Sequence, residues 1–178
     1  METYKKIKII SQEYKYPSEK KLKYLGDGEW VEEPDQVAFE YNGFRCLILR
    51  IFLKEPFSDS EKDHYFGGYL NGYVDLPSTH FYFGKNYNDI EVYCHGDLTF
   101  SEEVNGMWRI GFDCAHGGDY TPSTEYFRKT NESMIEFNKL FPLPEGFENL
   151  SLFNPIYRNI EFCINECCNI VDQLKGKK

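Results

Sequence analysis

The chain has 178 residues and a formal net charge of −9. That length suits one domain with a substantial core, and no apolar run approaches the ~18 residues of a membrane span. The acidic balance makes direct DNA binding unexpected, while a small anionic ligand in a local basic pocket or a basic protein partner stays compatible with it.

Residues 1–35 are charge-rich, and "METYKKIKII" lacks the long apolar core and cleavage site of a secretory signal, so a cytoplasmic protein is expected. "KIKII" reads as a short edge strand whose lysines discourage further pairing. In "VAFEYNGFRCLILRIFL", Asn42-Gly43 reads as a two-residue turn between apolar runs, the signature of a hairpin. Phe44, Cys46 and Ile48 then alternate with Arg45, Leu47 and Leu49, and both faces of this strand are expected to be covered. "GGYLNGYVDLP" is a strand ended by Pro77. Ile90, Val92 and Cys94 alternate against Glu91, Tyr93 and His95, a further strand. Asn105-Gly106 turns the chain into "MWRIGFDC", pairing "DLTF" with "WRIGF".

Helical character follows. "TPSTEYFRKTNESMIEFNKLF" predicts one helix capped near Ser123. "NPIYRNIEFCINECCNIVDQLK" predicts another, with Asn154 as cap, Pro155 in the first turn, and Ile156, Ile160, Cys163, Cys167, Ile170 and Leu174 as one apolar stripe. Six cysteines include no CxxC pair, so a zinc ribbon is not expected and free thiols are. The fold class is therefore α+β: a mainly antiparallel β-sheet with a C-terminal amphipathic helix packed against it. Within one domain spanning 1–178, residues 36–119 form the β-rich core and 120–178 the helical part.

The chemistry concentrates in two polar motifs, "CHGDLT" (94–99) and "GFDCAHGGD" (111–119), which the predicted hairpin around Asn105 brings together. His95, His116 and Asp113 are the candidate acid–base residues, since histidine titrates near neutrality and carboxylates orient it or share a cation. Asp and Gly also end ordinary strands and build turns. Cys114 beside His95 or His116 has the makings of a nucleophile and base, though such cysteines more often pack. "HFYFGKNYND" adds His80, Tyr82 and Tyr87 as stacking candidates, and Arg45 is a candidate phosphate ligand. The full candidate binding set is Arg45, His80, Tyr82, Tyr87, His95, Asp97, Thr99, Asp113, His116 and Asp119. Phosphate-loop, dinucleotide, zinc-protease and serine-hydrolase signatures are all absent.

Several stretches, in order, resemble one family of small, uncharacterised phage- and prophage-encoded proteins: "YNGFRC", "GYVDLP", "HFYFGKNY", "VYCHGDLTF" and "WRIGFDCAHGGD". The chain departs from that family's pattern at Phe81, where proline is usual, and at Asp97, which replaces the second glycine of a His-Gly-Gly motif. The resemblance implies a counter-defence accessory protein in a bacterial host cell. Its expected ligand is a small nucleotide-derived signal, with no obligatory cofactor. Two alternatives stay open: a hydrolase in which Asp113, Asp119 and Asp97 hold a divalent metal, and a protein–protein inhibitor of a host defence protein. Homo-oligomerisation is compatible with either.

Overall fold

The computed structural model describes residues 6–54, 65–142 and 154–176. Six strands form one antiparallel sheet: β1 (Lys8–Glu13), β2 (Gln36–Tyr41), β3 (Phe44–Lys54), β4 (Tyr65–Leu76), β5 (Phe100–Val104) and β6 (Met107–Asp113), in the spatial order β1-β2-β3-β4-β6-β5. Helices α1 (Ser18–Leu25), α2 (Pro122–Thr130), α3 (Glu132–Leu140) and α4 (Ile160–Leu174) complete it, and α4 packs on β3 and β4. The α+β fold with a C-terminal helix against an antiparallel sheet is thus present. Among the described residues no helix is long and apolar enough to cross a membrane.

Both predicted hairpins form. Asn42 and Gly43 have φ of 52° and 84°, and Asn105 and Gly106 have 54° and 77°. Two left-handed residues in a row match the twist of the flanking strands, which is why Asn-Gly specifies such turns. One sheet face buries Val37, Phe39, Cys46, Ile48, Leu70, Val74, Ile110 and Phe112 against Cys163, Cys167, Ile170, Val171 and Leu174 of α4. Gly72 permits the close approach: a Cβ there would lie 2.4 Å from the Phe112 ring and 3.0 Å from Cys167 Sγ.

The second face departs from the expected apolar cover of β3. Cross-strand register aligns Glu40, Arg45, Asp75, Arg109 and Glu102 in one row of alternating charge across five strands. Arg109 grips Asp75 through Nε and Nη2 at 2.7 and 2.9 Å. On this face Leu47 is buried, Leu49 half-buried and Arg45 exposed, so the expected cover of β3 holds at Leu47 and ends at the charged row.

Three further expectations are corrected. Residues 90–95 keep their alternating burial but form no strand, because side chains of α4 take their backbone groups. Tyr93 N–H donates to Gln173 Oε1 (2.8 Å), its carbonyl accepts from Gln173 Nε2 (2.7 Å), and His95 N–H donates to Glu166 Oε2 (2.9 Å). The predicted single helix over 121–141 is two, broken at Asn131, whose side chain caps α3 by accepting from Met134 N–H; Ser123 instead accepts from Gly67 N–H. Helix α4 starts at Ile160, capped by Asn159 rather than Asn154. Upstream, Ile156 is 56% exposed and its backbone is bound to Gly118 and Tyr120, which prevents an earlier helical start.

A buried charge network, silent in the sequence, ties these layers together. Arg50 Nε donates to Asp35 (2.9 Å), Nη1 to Gly68 O and Tyr157 Oη (2.8 Å each), and Nη2 to Glu33 (2.9 Å) and Pro34 O (3.4 Å). Lys21 Nζ lies 3.1 Å from Asp35. Two cations and two carboxylates cancel, as burial requires. Burial pushes the Lys21 ammonium down from its ordinary value, against the pull of Asp35.

Candidate functional site

Two turns build the site. In the first, Asp97 N–H donates to Cys94 O (3.2 Å), with Gly96 at φ 64° in the third turn position. Glycine tolerates that conformation, and it also clears space. A Cβ on Gly96 would lie 2.1 Å from His116 Cε1, so the imidazole rests directly on this turn. In the second, Asp113 Oδ1 accepts from Ala115 N–H (3.1 Å) and Asp119 Oδ2 from His116 N–H (3.1 Å). These side-chain-to-backbone bonds fold the "DCAHGGD" loop back on itself.

Asp119 is the hub. Its Oδ2 lies 2.7 Å from His95 Nε2, its Oδ1 accepts from Arg158 Nε at 2.9 Å, and its side chain is 2% exposed. Burial alone would raise its pKa, but the bonds from His95 and Arg158 outweigh that and hold the carboxyl below its ordinary value. Asp119 is therefore an anion at neutral pH.

His116 is half-exposed, yet its Nδ1 is buried without a hydrogen-bond partner. That atom lies 3.6 Å from Asp113 Oδ1 and 3.7 Å from Asp119 Oδ2, too far for hydrogen bonds. Tetrahedral zinc with bonds of about 2.0–2.1 Å sets neighbouring donors about 3.3 Å apart. The His95, His116 and Asp119 donor atoms all lie within 4.8 Å of one another. The His95 ring is held edge-on by His116 (5.5 Å) and Phe162 (5.3 Å). Two imidazoles and a carboxylate are a donor set for a divalent transition metal once the 2.7 Å His95–Asp119 contact opens to ligand spacing; Asp113 lies beside His116, outside the set.

The sequence-predicted residues divide. His95, Asp113, His116 and Asp119 come together, and Asp97 sits exposed on the His95 turn. Thr99 is exposed, and its backbone N–H donates to Gly111 O. His80 is not brought to the cluster. It neighbours Leu174, eight residues and about 12 Å along α4 from Glu166, which binds His95. Tyr82 is core, 2% exposed, and Tyr87 packs against that core with its N–H on Ser101. Arg45 pairs in register with Asp75, four residues along β4 from Asn71, the partner of Asp113. Tyr82 and Tyr87 therefore do not line the cluster.

Neither cysteine beside the turns is an activated nucleophile. Cys114 Sγ lies 3.7 Å from Cys163 Sγ, and that contact followed by burial pushes the Cys114 thiol far up. Burial, with Glu166 and Asp97 nearby, pushes Cys94 up to about 12. A thiolate nucleophile needs the opposite shift.

Sequence reasoning missed Arg158, just before α4, and Phe162 and Glu166 in its first half, which reach the cluster. Amphipathic spacing marks a helix's buried stripe but not the residues beside it, so the pattern carried no signal for these three. Replacing Gly96 with alanine is expected to displace the His116 ring, so that a metal at these donors would bind about 10- to 100-fold more weakly, measurable by competition with a chromogenic chelator. Comparison of the chain with protein-family models, with curated proteins and with solved structures finds no match.

Proposed function

We propose that His95, His116 and Asp119 hold one divalent transition-metal ion, with Asp113 beside His116 at the edge of the site. In this reading the protein is a metal-assisted hydrolase of a small nucleotide-like substrate. The observation that carries it is the buried, unpartnered Nδ1 of His116, set at ligand-to-ligand rather than hydrogen-bond distance from two carboxylates. A metal held by three side chains keeps a position open for water and lowers that water's pKa toward neutrality. Asp119 supplies a permanent negative donor, while Arg158 fixes its orientation from the far oxygen. Asp97 and Asp113 are both reachable by solvent at the rim of the cluster.

The nucleotide-derived substrate and the counter-defence role come from the sequence resemblance. Sequestration of the same signal without turnover is the companion reading, and it is weakened because Tyr82 and Tyr87 lie elsewhere. Incubation with cyclic nucleotides and ADP-ribose derivatives, followed by heat release and chromatography, separates the two. The hydrolase reading expects product, lost with chelator and regained with added zinc or manganese; release of intact nucleotide supports sequestration instead.

A further inference from the structure

We infer that Arg158 is the anion-recognising arm of this site, its two terminal nitrogens taking a pair of oxygens of a phosphate group placed beside the His95–His116–Asp119 donors. The inference rests on the proposed metal centre for the strength of binding and on the arginine's own geometry for the place.

The arginines of this fold are used differently. Arg50 commits every donor to the core network, and Arg109 closes a two-point grip on Asp75. Arg158 spends one donor, Nε, on Asp119 Oδ1 at 2.9 Å. Among the described residues nothing accepts from Nη1 or Nη2, although the side chain is only 26% exposed.

The fork is also held still. Its carbon lies 4.8 Å from the centre of the Phe162 ring, a cation–π contact, while Asp119 fixes the Nε edge. The side chains of both neighbours are anchored: Tyr157 Oη donates to Glu33 and accepts from Arg50, and Asn159 caps α4. A pre-oriented planar fork with two vacant, parallel N–H groups is the arrangement that binds phosphate bidentately.

A tetrahedral phosphate has oxygens left over after engaging the fork, and these are free to face the metal donors. A carboxylate's two oxygens are consumed by one partner or the other. Asp97, Asp113, Asp119 and Glu166 make the surroundings acidic, so a bound cation offsets their repulsion of the anion. Phosphate and metal are thus expected to bind cooperatively, each tightening the other by the same factor.

The test is calorimetric titration of inorganic phosphate, a nucleoside monophosphate and acetate into zinc-loaded and metal-free protein, comparing wild type with Arg158→Gln and Arg158→Lys. Zinc affinity of each variant is measured alongside. The expected result is phosphate binding at least about tenfold weaker in Arg158→Gln, a larger factor than the accompanying fall in zinc affinity from loosening Asp119. Arg158→Lys, which keeps charge without the fork, should recover only part of the loss. Binding of the monophosphate as well as inorganic phosphate assigns the site to a terminal phosphate ester; binding of inorganic phosphate alone assigns it to the free ion.

Equal phosphate affinity in wild type and Arg158→Gln overturns the inference. So does acetate binding as tightly as phosphate, or loss of zinc and phosphate in the same proportion, which would make Arg158 a brace for Asp119. Zinc binding without any phosphate binding defeats this inference and spares the metal centre. Arg158-dependent phosphate binding in a protein that takes no zinc does the reverse.

Discussion

Substituting Arg50 with methionine is expected to destabilise the fold by about 3–5 kcal/mol, the range for removing one partner of a buried ion pair. Methionine fills much of the volume but leaves Asp35 and Glu33 without their main cation, and Gly68 O and Tyr157 Oη each lose a donor. Lys21 still neutralises Asp35, so the cost falls hardest on Glu33, whose other oxygen accepts from Ile160 N–H at the start of α4. Urea denaturation should register the loss as a lower midpoint, and the thermal midpoint should fall by about 6–20 °C for a chain of this size. Arg128→Ala, removing an exposed i,i+3 pair with Glu125, is the contrasting control and should cost under about 0.5 kcal/mol. A small effect at Arg50 would mean that the network does not hold α4 to the sheet.

The second large effect is expected at Asp119. Its carboxylate accepts from Arg158 Nε and His116 N–H and pairs with His95, so Asp119→Asn removes charge from one hub rather than one bond. Metal affinity should drop by more than about 100-fold, since a charged first donor is lost rather than an outer partner. Stability should fall by about 1–3 kcal/mol, the usual cost of leaving buried polar groups unmatched. The pH dependence follows in sign. The folded carboxyl is held below its ordinary value of 3.8, so its stabilising contribution is complete above that value and is lost as pH falls through the folded pKa. Wild type should lose stability in that acid window by more than Asp119→Asn does, as read from chemical denaturation at a series of pH values.

What the sequence revealed and concealed has physical reasons. The Asn-Gly turns were legible because two consecutive left-handed residues demand that dipeptide, and the hairpin at Asn105 correctly predicted that His95 and Asp119 would meet. Period-two alternation over 90–95 reported burial faithfully but not hydrogen bonding. An extended segment bonded to Gln173 and Glu166 of a helix has the same in-out pattern as a strand. The first turn of the C-terminal helix was overdrawn because Asn154-Pro155 is a sound start signal in isolation. The pairing of Ile156 with the Gly118–Tyr120 loop, a contact over more than thirty residues, overrides it. Proximity in sequence misled for His80, Tyr82 and Tyr87, which share a loop with the site but pack into or against the core. Arg50 and Arg158 were invisible for a common reason: an arginine reads as surface until its carboxylate partners are placed in space.

All of this turns on whether the imidazoles of His95 and His116 and the carboxylate of Asp119 share one cation. Purified wild-type protein and a His95→Ala/His116→Ala double variant, each stripped of metal and then equilibrated with a small excess of zinc, should be desalted and assayed for bound zinc by elemental analysis. Circular dichroism would establish that both are folded. The account predicts about one zinc per wild-type chain and almost none in the double variant. Wild-type protein that retains no zinc, or a folded double variant that retains as much as wild type, would contradict it.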